Sequence, residues 1–352
     1  MRSRLASLSL LLATALMLVN CQLPGSDTSD SASISPPTTA EKPDAASPWQ
    51  TVKLVRTMAA HRSTVRSLAI SPDSQTLATG SLGRRLKVWA LASGEELREI
   101  PMQQSVESLV FSPNSQTFAS GEYGGMLKIW DRAGEGNEPQ IAVDAHEFAI
   151  YGLVFSPDGS TVISGSIDET IKVWDSLTGE QVGNTIQTDD SVLRLVIGSV
   201  GDVIGYSLFN GEVRFRYLQS GDLIRGFASG AYPQFALTVS PDDKYLVAGG
   251  ASNIIVIWDI ESGRIIRAMT QHTDAIRDLA ISPDGTTLAS TGSDKTVKIW
   301  SFPEGKLLNS LDTMRSFAIA FSPDGKYLVS AGDEGKVMIW QPGSEPDDET
   351  ED

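Results

Sequence analysis

The stretch His146–Asp175, HEFAIYGLVFSPDGSTVISGSIDETIKVWD, decides the fold. It is apolar through Leu153-Val154-Phe155, turns at Ser156-Pro157-Asp158-Gly159, runs apolar again, and alternates through Ile171-Lys172-Val173-Trp174. Short apolar or alternating runs bounded by turn residues read as antiparallel strands. Proline presets φ at the second turn position and Asp-Gly tolerates the tight return, so Ser156–Gly159 joins two strands. The same pattern occurs seven times between Val65 and Trp340, ending at Trp89, Trp130, Trp174, Trp258, Trp300 and Trp340, with Arg216 at the tryptophan place of the fourth copy. Intervals between these landmarks run from 40 to 44 residues. A period of that length marks a repeat architecture.

After each landmark comes a turn such as Leu177-Thr178-Gly179 and a fourth, mixed strand, for example Gly263–Met269. A four-stranded unit cannot bury both faces alone, whereas a radial stack can, leaving only short, protected edges. The expected fold is all-β, a seven-bladed propeller of four-stranded antiparallel blades. The last copy is followed by the hydrophilic Gln341–Asp352 and lacks its fourth strand; Thr51–Arg56 supplies a spare one at the front.

The chain resembles the WD-repeat β-propeller family over residues about 50 to 341, with Trp-Asp itself at Trp130-Asp131, Trp174-Asp175 and Trp258-Asp259. The resemblance implies that the N-terminal strand completes the last blade, so that closure depends on residues 50 to 57. It also implies a buried network of loop histidine, strand hydroxyl, turn aspartate and third-strand tryptophan in each well-formed blade. Those residues are His61, Thr79 and Trp89; His146, Ser164, Asp168 and Trp174; and His272, Ser290, Asp294 and Trp300. A catalytic triad would use the same His, Ser and Asp types, but a nucleophile site is needed once and this set repeats with fixed spacing. Indole, hydroxyl and imidazole can satisfy one another inside a blade, each bond contributing ~1 kcal/mol and costing more if orphaned. All three histidines of the chain are used in this way, and no cluster shows zinc spacing, so neither a metal nor a cofactor is expected. Copies 1 and 2 carry Gly83 and Gly124 at the turn-aspartate place, and the fourth copy, with Tyr206 and Arg216, is expected to be the weakest.

The formal charge is −16, distributed as +2 over residues 1–21, −3 over 22–50 and −6 over 341–352, leaving −9 for the propeller. An acidic body argues against a nucleic-acid partner, whose phosphates need a basic stripe. Arg2 and Arg4 precede an apolar run from Leu5 to Val19, short for a membrane span and suited to a secretory signal. Leu18-Val19-Asn20-Cys21 resembles a bacterial lipobox, with Asn20 where a small residue is usual. The expectation is a signal peptide over 1–20, a lipid-anchor Cys21 heading a disordered linker over 21–49, the propeller over 50–341, and an acidic tail over 342–352. Acylation would anchor the chain to a membrane. Gln22 after the cysteine resembles the sorting pattern for the outer membrane, facing the periplasm.

By the same resemblance, partner-facing side chains come from the start of each first strand and the residue before the turn aspartate. Arg66, Arg277 and Arg315 then form a cationic arc over blades 6, 7 and 1, with Phe317 beside them, while Tyr123, Tyr151, Phe209 and Phe235 form an aromatic arc over blades 2 to 5. Glu107 and Asp333 are the carboxylates of that ring. Clustered arginines suit carboxylates, and exposed aromatics suit a protein or peptide partner. The reading is a non-catalytic, membrane-tethered, extracytoplasmic scaffold. Two alternatives stay open: an exported propeller hydrolase holding a metal between Glu107 and Asp333, and a glycan-binding protein using Tyr151 and Phe209.

Overall fold

The computed structural model describes residues 47–228 and 230–343. The expected signal peptide over 1–20, the expected lipid-anchor Cys21 and linker up to residue 46, and the expected tail from residue 344 lie outside the described residues. Seven four-stranded antiparallel sheets are arranged as blades. Blade 3 is typical, with strands Ile150–Phe155, Thr161–Ser166, Thr170–Asp175 and Gln181–Gln187. Its Ser-Pro-Asp-Gly turn is locked from within: Ser156 Oγ donates to Asp158 Oδ1 at 2.5 Å and accepts from the Thr161 amide at 3.0 Å.

The first strands of successive blades contact one another all the way round, and the seventh returns to the first. Each apolar cluster lies between two blades. One joins Leu77 and Trp89 of blade 1 to Ala318 and Val329 of blade 7, for example. Burial is therefore shared between neighbours, as a repeat stack requires. The only helix among the described residues is one 3-10 turn, Asp333–Gly335.

Blade 7 takes its outer strand from the N-terminus: Val52–Ala59 pairs antiparallel with Lys336–Pro342. The closing strand thus runs slightly beyond the expected 50 to 57. Packing also begins earlier than residue 50. Trp49 is 1% exposed, meets Phe321 edge-on at 5.0 Å, and sits in the cluster between blades 6 and 7. Ser47 Oγ lies 2.5 Å from Thr287 Oγ1. This single turn before the first strand adds an anchor that no repeat contains.

Every first strand carries a register shift after its first residue. The shift falls at Arg66, Glu107, Tyr151, Leu193, Phe235, Arg277 and Phe317 in blades 1 to 7. A bulge inserts an unpaired residue and re-aims its side chain. Here it marks a ring of seven side chains, which is where the functional question begins.

Candidate functional site

The blade networks have defined geometry. In blade 3, His146 Nε2 lies 2.7 Å from Ser164 Oγ, its Nδ1 lies 2.9 Å from Asp168, and the Trp174 indole donates to the same Ser164 at 2.8 Å. Blade 6 repeats this with His272, Ser290, Asp294 and Trp300 at 2.7, 2.8 and 2.9 Å. In blade 1, Thr79 is shared by His61 at 2.8 Å and Trp89 at 2.9 Å. Gly83 offers no carboxylate, and His61 Nδ1 is buried without a partner. Burial, reinforced by Lys87, lowers the His61 pKa to about 4. These histidines hold blades together, because each ring is closed against its own strand hydroxyl and not presented to a channel.

Blades 2 and 4, which lack the histidine, carry polar pairs that the repeat pattern did not announce. Blade 2 buries Glu122 completely. That carboxylate meets Lys128 at 2.6 Å and accepts from the Gln104 amide at 3.1 Å. In blade 4, Arg216 Nε donates to the Tyr206 hydroxyl at 2.6 Å, across the ten-residue spacing at which Trp and Ser meet elsewhere. The fourth copy therefore exchanges both partners at once and keeps the bond.

At the loop face, Phe317 is the hub. The guanidinium carbons of Arg66, Arg315 and Arg277 lie 4.8, 5.3 and 5.7 Å from its ring centre, and Arg277 also lies 4.9 Å over Phe235. Such contacts are attractive through the ring quadrupole. The cationic and aromatic arcs expected as separate sectors therefore meet where Arg277 of blade 6 stacks on Phe235 of blade 5. Arg66 pairs with Glu107 at 3.2 Å, and Arg315 with Asp333 at 2.9 Å. Arg277 instead donates to Ser293 Oγ at 2.7 Å. Among the described residues it has no carboxylate within 4.0 Å. Burial, then repulsion from Arg66 and Arg315, lowers its pKa to about 10.

The remaining ring residues divide by exposure. Tyr123 is 41% exposed and Leu82 47%, whereas Tyr151 is 9% and Glu107 6%. Phe209 and Phe235 are half-buried. Tyr151 is thus part of the channel wall, and burial pushes its phenol pKa up; it offers no open face for stacking on a sugar. Glu107 is engaged by Arg66 and by Ser105 at 2.6 Å, and Asp333 by Arg315 and by Thr64 at 3.0 Å. Each carboxylate is thus engaged by one arginine and one hydroxyl. Among the described residues no group of three His, Cys, Asp or Glu could hold a metal ion.

Two spaces adjoin the ring. A cleft of about 730 Å3 between blades 6 and 7 is lined by Lys295, Asp312, Arg315, Asp333 and Lys336 among others. A smaller chamber of about 120 Å3 lies in the channel, lined by Arg66, Glu107, Tyr151, Arg194 and Asp278. Arg194 and Asp278 were missed by sequence reasoning, which sampled the bulge residue of each blade. The signal was one position further along. There the blades carry Ser67, Ser108, Gly152, Arg194, Ala236, Asp278 and Ala318, so two charges stand out among five small residues.

The blade architecture and its repeated hydrogen-bonded tryptophans define a WD-type propeller. The family model for the WD domain, G-beta repeat, matches residues 52–90, 94–131, 137–175, 229–259, 263–301 and 306–341, and the chain belongs to the WD40 repeat family. The gap in that series is blade 4, whose Tyr206–Arg216 pair replaces the family residues. A segment of 54 residues is 41% identical to the pre-mRNA-splicing factor prp46 of Aspergillus fumigatus, covering 15% of this chain and 11% of that protein. An overlap of little more than one repeat bears on the repeat and not on the whole of either protein.

Proposed function

We propose that the chain is a non-catalytic scaffold, tethered to a membrane on the extracytoplasmic side through Cys21, that binds a protein or peptide segment on its loop face. The family supports the scaffold part, since WD40 propellers commonly bind protein partners. The observation that carries the site is Arg277: a half-buried cation, stacked on Phe235 and Phe317 and lacking a carboxylate of its own among the described residues. An acidic side chain of a partner would supply the missing charge at a place where a guanidinium hydrogen bond is worth more than in bulk water. The neighbouring cleft, with Arg315 in its wall, would receive the flanking backbone. Tyr123 and Leu82, both exposed, extend the contact surface. The tether rests on the order of the first 21 residues, Arg2 and Arg4, the apolar run and then the lone cysteine of the chain.

Capture from detergent-solubilised membranes tests the site, with the intact protein beside an Arg277→Ala/Arg315→Ala variant whose circular dichroism is unchanged. Partners held by the first and lost by the second are the expected result. Identical capture by both would exclude the arginine arc. The tether is tested by Cys21→Ser, expected to move the protein from the membrane fraction to the soluble fraction. Unchanged fractionation together with no incorporation of labelled palmitate would exclude lipidation.

A further inference from the structure

The channel chamber places two charges where the repeat elsewhere places small side chains. Arg194 enters from the first strand of blade 4 and Asp278 from that of blade 6, and both line the same 120 Å3 space. They are not an ion pair, for among the described residues Arg194 has no carboxylate within 4.0 Å. One Arg194 Nη1 donates to the Leu193 carbonyl at 3.0 Å, and Asp278 Oδ2 accepts from the Ile319 amide at 2.9 Å. The other channel charges are already matched, since Glu107 holds Arg66. Separated opposite charges in a confined space remain under-compensated: burial lowers the Arg194 pKa despite Asp278, and burial raises that of Asp278 despite Arg194.

A simple anion would relieve Arg194 and leave Asp278 worse off, and a simple cation would do the reverse. A molecule carrying both charges relieves both. We propose that this chamber binds a small zwitterion, an α-amino acid of the size of glycine, alanine or serine, with its carboxylate on Arg194 and its ammonium on Asp278. The chamber is small, about 120 Å3, which suits amino acids with small side chains. Tyr151 lines the same space beside Arg66, and its hydroxyl can donate to a carboxylate. The chamber shares Arg66 and Phe317 with the loop-face arginine cluster, but Arg277 does not line it, and it needs no protein partner.

The test is isothermal titration of the full-length protein in detergent with glycine, L-alanine and L-serine, each beside acetate and methylamine, which carry one charge apiece. The expected result is saturable binding of the zwitterions, with neither single-charge probe binding comparably. Arg194→Gln and Asp278→Asn are each expected to weaken binding at least tenfold. Asn keeps an acceptor for the Ile319 amide, so Asp278→Asn remains readable if Arg194→Gln fails to fold. Absence of zwitterion binding at millimolar concentration would overturn the proposal. So would acetate binding as well as alanine, or a folded Asp278→Asn protein that binds as the wild type does. Partner capture that depends on Arg277 but not on Arg194 would separate this site from the loop-face surface.

Discussion

In blade 6 the indole of Trp300, fully buried, donates to Ser290, which also meets His272, which in turn meets Asp294. In blade 4 the same two strand positions hold Arg216 and Tyr206, joined by one bond of 2.6 Å, with Arg216 Nη1 donating to the Gly221 carbonyl at 2.7 Å. The first arrangement puts bulk on the third strand and a small hydroxyl on the second. The second puts bulk on the second strand, where Tyr206 is 0% exposed, and a long donor on the third. What both keep is a filled volume and a satisfied polar group, the two conditions under which burial is favourable. The repeat tolerates exchange of its named residues as long as both conditions hold together.

The largest effect should come from removing bulk. Trp300→Ala deletes a fully buried indole and leaves Ser290 with one partner fewer; large-to-small changes of this type cost ~3–5 kcal/mol. Arg216→Ala removes a half-buried side chain and orphans the Tyr206 hydroxyl, for which ~1–3 kcal/mol is expected. Urea denaturation of the two variants would measure the gap. Equal losses would show that blade 4 depends on its third-strand residue as heavily as blade 6 does.

A finer probe converts one solution into the other. Arg216→Trp alone should destabilise by ~1–3 kcal/mol, because Tyr206 already occupies the space an indole needs. Adding Tyr206→Ser should recover most of that loss by restoring the indole-to-hydroxyl bond seen in blades 1, 2, 3 and 6. A double-mutant cycle with a coupling energy below ~0.5 kcal/mol would mean that the two residues are not exchanged as a unit.

The same contrast explains how far the sequence could be read. Blade number and strand order follow from period and turn chemistry, because those are local and repeated, whereas closure by the N-terminal strand is legible through the family resemblance. The networks of blades 3 and 6 are implied by the family resemblance, and the recurrence of their residues at fixed spacing marks them as structural. Arg216 and Tyr206 read as damage, since a pairwise exchange has no second copy to reveal it. Glu122 with Lys128, and Arg194 with Asp278, each occur once and acquire meaning only when the sheets place them. Trp49 lies before the first repeat, so no periodic argument reaches it. The interlocking of Phe317 with three arginines was hidden for a related reason: position in a ring gives neighbours, and only geometry gives stacking.

The smallest expected effect lies in blade 1, which stands between the two extremes with the histidine but no turn carboxylate. His61 binds its proton near pH 4 in the folded chain and near pH 6.5 when unfolded. Between these values the unfolded state holds more protons, so stability rises with pH through that window and is lost as pH falls from about 6.5 toward 4. Gly83→Asp would place a carboxylate at the position Asp168 and Asp294 occupy in blades 3 and 6. The added Cβ meets Ser63 Cβ at 3.1 Å, so the Ser63 loop must yield by a few tenths of an ångström. With that contact accommodated, the net gain at neutral pH should be ~1 kcal/mol. Because the new carboxylate favours imidazolium, the His61 pKa should rise toward its unfolded value, and the acid-side slope contributed by this residue should flatten. Parallel melting curves from pH 4 to pH 7 for wild type and Gly83→Asp would show it as a difference that widens as pH falls. A constant offset would mean that His61 is not the group being titrated, and a loss at every pH would mean that the Ser63 contact outweighs the bond.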